Sequence, residues 1–172
     1  MAQTNCLITA GYTIGCLDNT GGAQEIYIAN WTSDASYDLD VDDTITGVTS
    51  GNTYYKFETP KQTAGLVETP NVSVENGTVF YNQDVTLVLN KMEADLRNQI
   101  LLITRATTTI ILKDQNGNYW LVGKQNGANV SGGAHGTGTA YGDRNGYSLT
   151  LTSMEPELAH PIDYAAFSAM IG

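Results

Sequence analysis

The residues of this sequence with the most obvious chemical potential are carboxylates. Asp38, Asp40, Asp42 and Asp43 fall within Asp38-Leu39-Asp40-Val41-Asp42-Asp43, and Asp34 lies just upstream. Alternating carboxylates can converge on a hard cation such as calcium. A calcium loop also needs a glycine at its sharp turn and a bidentate glutamate at its twelfth position, and here the twelfth position counted from Asp38 is Thr49. The other reading is a strand or loop whose carboxylates face water while Leu39 and Val41 face inward. His135 and His160 are the two histidines, and neither is accompanied by Gly-x-Ser-x-Gly or by a glycine-rich phosphate loop ending in Lys-Ser or Lys-Thr. Eighteen acids could include a glycosidase pair, but no spacing singles two of them out. Cys6 and Cys16 have no CxxC spacing and no histidine nearby, so they read as small, semi-buried apolar residues. No catalytic, cofactor or metal site is assigned, and an enzyme is not expected.

Charge narrows the classes further. The net charge is −10, and residues 1–55 hold seven carboxylates (Asp18, Glu25, Asp34, Asp38, Asp40, Asp42, Asp43) with no lysine or arginine. Tight binding of nucleic acid needs cations that displace condensed counterions, so a gripping groove is excluded. A surface that nucleic acid passes without sticking is not. At 172 residues and 41% hydrophobic the chain fits one domain with a real core. No run approaches the ~20 apolar residues of a membrane span. The opening Met-Ala-Gln-Thr-Asn lacks the basic region and apolar block of a secretion signal, so cytoplasmic synthesis is expected and the sequons Asn71-Val72-Ser73 and Asn76-Gly77-Thr78 read as chance matches.

The elements that must position any site are mostly strands. Val85, Leu87 and Leu89 alternate with Asp84, Thr86 and Val88 at the period of a pleated strand. The period then changes: Met92, Leu96, Ile100 and Ile103 form one stripe of a helix over about Lys91–Arg105, with Asn90 and Glu93 placed as a capping box. Thr107–Leu112 is a β-branched run, Asn116-Gly117 a hairpin turn, and Tyr119–Gly123 the returning strand. Upstream, Glu25–Trp31 is apolar on both faces and so reads as well buried. Thr44–Thr49, Thr53–Thr59 and Gln62–Thr69 read as short strands, with Pro70 interrupting the last.

Residues 1–23 read as a polar arm with one short strand at Cys6–Thr9. Residues 124–137, with Gly127, Gly132, Gly133 and Gly136, read as a long flexible loop. A final hairpin turning at Asn145-Gly146 places Tyr147, Leu149 and Leu151 on one face and Ser148, Thr150 and Thr152 on the other. The C-terminal extension, about 159–172, is apolar beyond Pro161 and is expected to dock on a neighbour.

The stretches Val74–Tyr81, Leu87–Glu93, Asn116–Gly123 and Gly138–Thr152, in that order, resemble the tail tube proteins of tailed bacteriophages, particularly those of Bacteroidetes phages, over roughly residues 24–158. The resemblance implies a mainly β fold, a sandwich or barrel of two packed antiparallel sheets with one flanking helix. It also implies assembly into stacked, hexameric rings that form the hollow tube through which DNA passes in the virion. Its implied partners are copies of itself and other tail proteins (sheath if contractile, terminator, baseplate or tip), with DNA in transit and no membrane insertion. In that setting Asp34, Asp38, Asp40, Asp42 and Asp43 are candidate acidic residues of the lumen or surface. The alternatives are a component of a related injection machine and a carbohydrate- or calcium-binding β-sandwich, for which Trp31, Tyr54, Tyr55 and Trp120 would supply an aromatic platform.

Overall fold

The structure is a computed structural model that describes residue 8 and residues 10–171. Cys6 and most of the short strand read at Cys6–Thr9 lie outside the described residues. Among those described there are eleven strands and two helices. In chain order they are β1 (Ala23–Asn30), β2 (Ser36–Leu39), β3 (Ile45–Thr49), β4 (Tyr55–Phe57), β5 (Gly65–Ser73) and β6 (Thr78–Asn90). After them come α1 (Ala94–Arg105), β7 (Thr108–Asp114), β8 (Tyr119–Val122), β9 (Ala128–Gly136), β10 (Gly146–Glu155), β11 (His160–Ile162) and α2 (Tyr164–Ile171).

The strands form two layers. One runs β4-β1-β7-β8-β11-β3-β2, the other β9-β10-β6-β5, and they join at a single pair, Thr108 with Ala128. The alternation of side chains assigns each residue to a layer contact. Ile26, Ile28, Ile110, Leu112 and Val122 of the first sheet pack against Val85, Leu87, Leu89, Leu149 and Leu151 of the second, with Ile100 and Ile103 of α1 joining that core. The intervening residues Tyr27, Ala29, Ile111 and Leu121 point the other way, into a second core completed by Ala166, Phe167 and Met170 of α2. Glu25–Trp31 is apolar on both faces because its strand lies in the middle layer. The fold is therefore mainly β and sandwich-like, with mixed pairing: β11 runs parallel to β3 through Ile162 and Ile45.

Five details differ from the sequence reading, each for a local physical reason. A second helix, α2, is present, and through Ala166, Phe167 and Met170 the C-terminal extension docks on its own sheet. Asn90 does not cap α1: it ends β6 opposite Gly146, Lys91 turns the chain at φ 70°, and Glu93 occupies the N-cap with no side-chain hydrogen bond. Met92 consequently precedes the helix. Pro70 does not interrupt β5, whose ladder with β6 is continuous from Gly65 to Ser73.

Residues 128–136 are strand β9 and not loop. A Cβ at Gly133 would meet the Ser148 carbonyl oxygen at 2.5 Å, so this glycine permits close strand approach where its composition suggested flexibility. The last hairpin turns through residues 137–145, and Gly146 already belongs to β10, where a Cβ would meet the Leu89 oxygen at 2.2 Å.

The Asn116-Gly117 turn forms as expected, with Gly117 at φ 87°. Asp114 holds it by accepting from the N–H groups of Asn116 (2.9 Å) and Asn118 (2.8 Å) and from the Trp120 indole (3.2 Å). Burial pushes its carboxyl up, but these donors, Asn118 first, outweigh burial and hold it below the usual carboxylate range. The stabilisation is therefore present above the unfolded carboxylate's value, ~3.9, and is lost as pH falls through the lower folded value. Asp114→Asn should cost about 1–2 kcal/mol at neutral pH and flatten the acid limb of stability against pH, as measured by urea titration. An unchanged acid limb would exclude this role.

Candidate functional site

The four-stranded layer β9-β10-β6-β5 is built from sequences with two unlike faces. Its inner face is the core already described. Cross-strand register puts Ser148, Thr150 and Thr152 of β10 beside Val88, Thr86 and Asp84 of β6, with Val67 and Thr69 of β5 and Asn129 of β9 completing the outer face. The hydroxyls are linked: Ser131 lies 2.7 Å from Thr152, whose hydroxyl donates to Asp84. Asp84 is the sole charged residue whose strand position faces outward on this layer, and no lysine or arginine shares that face.

Both margins of this layer are open. β5 pairs only with β6, and β9 beyond Ala128 pairs only with β10. Pro70 fixes which groups β5 presents. Lacking an N–H, it must sit where the ladder to β6 makes no demand, so residues 66, 68 and 72, of the same parity, direct their N–H groups to the free edge. Past Tyr81, the partner of Glu155 at the end of β10, the β5–β6 pair continues as a two-stranded ribbon with Val72, Val79 and Phe80 64%, 51% and 39% exposed. Beside β9 runs an apolar groove of about 470 Å³ between that strand and α1, lined by Met92, Ile100, Leu101, Val130, Tyr147 and Leu149.

A buried polar knot holds the layer to the rest of the molecule. Gln83 donates to Glu68 (3.1 Å) and to the Glu157 carbonyl (3.2 Å) and accepts from the Gly123 N–H (3.3 Å). Glu155, also buried, accepts from the N–H groups of Gln125 and Asn126 and from the Ser153 hydroxyl. These groups satisfy one another, which is what burial of polar atoms requires. His160 is a strut: Nδ1 donates to the Asp43 carbonyl (2.9 Å), and Nε2 lies 3.0 Å from both the Lys124 ammonium and the Glu157 carboxylate. His135 lies on β9 and stacks on Tyr147, so the two histidines share no site.

Asp34, Asp38, Asp40, Asp42 and Asp43 are all exposed, on or beside the β2–β3 hairpin at the opposite end of the strand order from β5. Asp40 closes that turn by accepting from the N–H groups of Asp42 and Thr44, both at 2.9 Å. Among the described residues no three His, Cys, Asp or Glu side chains gather in a way that could hold a metal ion. Leu39 and Val41 face solvent, contrary to the inward orientation expected of them. Of the aromatic candidates, Tyr54 is buried, Trp31 and Trp120 are half-buried, and Tyr55 alone is exposed; they form no common platform.

No family model, curated protein or solved structure matches this chain. What the outer face of the β9-β10-β6-β5 layer can do follows from its own chemistry. The sequence signal for it was the hydroxyl alternation in Ser148, Thr150 and Thr152. The signal for β9 was hidden, because its glycines were weighed as loop formers and not as sites of close approach.

Proposed function

We propose that this chain is a structural subunit whose copies join head to tail into rings, and that stacked rings form a hollow phage tail tube through which DNA moves during ejection. The observation that carries the reading is the open, even-stranded layer with a hydroxyl-bearing face that holds one carboxylate and no cation. Its strands alternate in direction, so in a ring related by rotation β5 of one copy meets β9 of the next antiparallel, the pairing already used within the layer. Both strands have nine residues. Exposed strand edges are normally covered or blunted, and closure into a barrel removes them.

Magnitudes suit a conduit. In the hexamer implied by the resemblance, strands ~4.8 Å apart and tilted by ~40° close into a barrel about 48 Å across between backbones, which leaves room for a DNA duplex inside the side chains. The wall would be hydroxyl and amide groups interspersed with the aliphatic side chains of Val67 and Val88, with one carboxylate, Asp84, per copy and no cation. A polyanion would find no counterion-releasing contact there. In this arrangement the acids of the β2–β3 hairpin belong to the outer surface, and the low affinity of the bore comes from missing cations more than from a ring of carboxylates.

Negative-stain microscopy with sedimentation over a concentration series tests the reading. Rings or tubes should grow with concentration, and the purified assemblies should not retain duplex DNA at physiological salt. Monomers at every concentration would overturn it.

A further inference from the structure

We infer that the N-terminal arm is a donor strand that one copy lends to another, pairing with the free edge of β4 and filling the groove between β4 and α1. The arm's sequence carries a strand pattern, Ile8, Ala10, Tyr12, Ile14 and Cys16 alternating with Thr9, Gly11, Thr13, Gly15 and Leu17, and none of its described residues, 8 and 10–17, joins a sheet. Ile8, Tyr12, Ile14 and Leu17 are 96%, 88%, 87% and 103% exposed, so their apolar surface is uncovered in the single chain. Residues 8–17 contain no charge, and nothing in them opposes burial. Ten extended residues reach about 33 Å, far enough to cross to a neighbouring copy.

The acceptor is chosen by elimination among the open edges. β2 lies among the exposed carboxylates of Asp34, Asp38, Asp40, Asp42 and Asp43, which oppose burial under an apolar strand, whereas β5 and β9 are engaged with each other in the proposed ring. β4 pairs only with β1 and borders a groove of about 560 Å³ lined by Ile28, Tyr55, Phe57, Gln99, Leu102 and Ile103. Tyr55 and Leu102 on its rim are 63% and 60% exposed. A strand laid along β4 would gain main-chain hydrogen bonds and set alternate apolar side chains in that groove, the logic of strand addition.

The donor is another copy because the arm's base is fixed at the wrong end of its own β1. Thr20 donates to Asn116, and Ala23 pairs with Asp114, whereas the groove lies by Ile28 and Thr108. To reach its own groove the arm would have to run antiparallel to β1 and so parallel to β4, the weaker pairing. An arm arriving from another copy is free to run antiparallel.

Cys16, exposed and on the apolar row, reports the contact. One protein keeps Cys16 and carries Cys6→Ser. The other carries Cys6→Ser, Cys16→Ser and, in three versions, Tyr55→Cys, Gln99→Cys or Leu102→Cys. Mixed and treated with oxidised glutathione, the pair should form a disulfide between copies in at least one version, and Tyr12→Asp with Ile14→Asp in the donor should lower its yield about tenfold. Absence of the mixed disulfide at all three positions would overturn the inference, as would an unchanged yield with the aspartates, or closure only within one chain when both cysteines share it. Rings seen by microscopy without the link would leave the ring reading intact and remove the arm from it. A link without rings would do the reverse.

Discussion

Val72→Pro is expected to leave the subunit folded and to suppress ring formation. Its N–H shares the parity of Pro70 and points to the open edge of β5, so proline there breaks no bond to β6. Its side chain is 64% exposed, on the ribbon beyond the core, so packing loses little. One edge hydrogen bond is worth about 1 kcal/mol, and a closed hexamer loses it at every junction, about 6 kcal/mol per ring. The concentration needed for rings should rise about tenfold, read by sedimentation, while the urea midpoint of the dispersed subunit moves little. Asn71→Pro is the matched control. That residue has the opposite parity, its N–H serves the ladder to β6, and the substitution should lower the subunit's own stability. Rings forming from Val72→Pro at the wild-type concentration would show that β5 is not the joint.

Strand parity and edge position also decide which parts of this fold were legible in the sequence and which were not. β6, α1, β7 and β8 were readable because each buries one periodic set: Val85, Leu87 and Leu89 at period two, Ile100 and Ile103 on a helical stripe, and Ile110 to Leu112 on both faces of a middle strand. Pro70 was misjudged because a proline stops a central strand but is at home on an edge, and edge status is a property of the sheet and not of the segment. Gly133 and Gly146 were misjudged for the same reason, since only the partner strand shows that a Cβ would strike its backbone. Asn90 and Glu93 had the spacing of a cap, yet Asn90 is committed to the ladder opposite Gly146, and tertiary pairing overrides a local motif. The hydroxyl face could be read from β10 alone, but its two open edges became visible only once nine residues of glycine-rich sequence proved to be β9.

Phe167→Ala should cause the largest loss of subunit stability, because it removes the pin of a helix that cannot stand alone. α2 has eight residues, well below the ~12–15 at which an isolated helix becomes even marginal. Its start is tied down by Asp163, whose N–H donates to the Ile45 carbonyl and whose carbonyl accepts from the Phe167 N–H, both at 2.9 Å. The rest is packing. Phe167 is 4% exposed; its ring stacks on Tyr119 with centroids 4.0 Å apart and meets Tyr27 edge-on at 5.2 Å. Tyr27 is itself fixed, since its hydroxyl donates to Glu25 at 2.9 Å and burial, with that bond, pushes its phenol up to about 12. Two anchored rings on a sheet cannot collapse into the space that a lost phenyl leaves, so the cavity term is paid nearly in full. The expected cost is about 3–5 kcal/mol, seen as a lower urea midpoint at unchanged slope. Alanine is the better helix former, so helix propensity opposes the loss and cannot explain it. Phe167→Leu, which refills most of the volume, should recover more than half. A loss below about 1 kcal/mol for the alanine variant would mean that the second core does not hold α2, and that the C-terminal segment is free for the contact with a neighbour that its apolar composition first suggested.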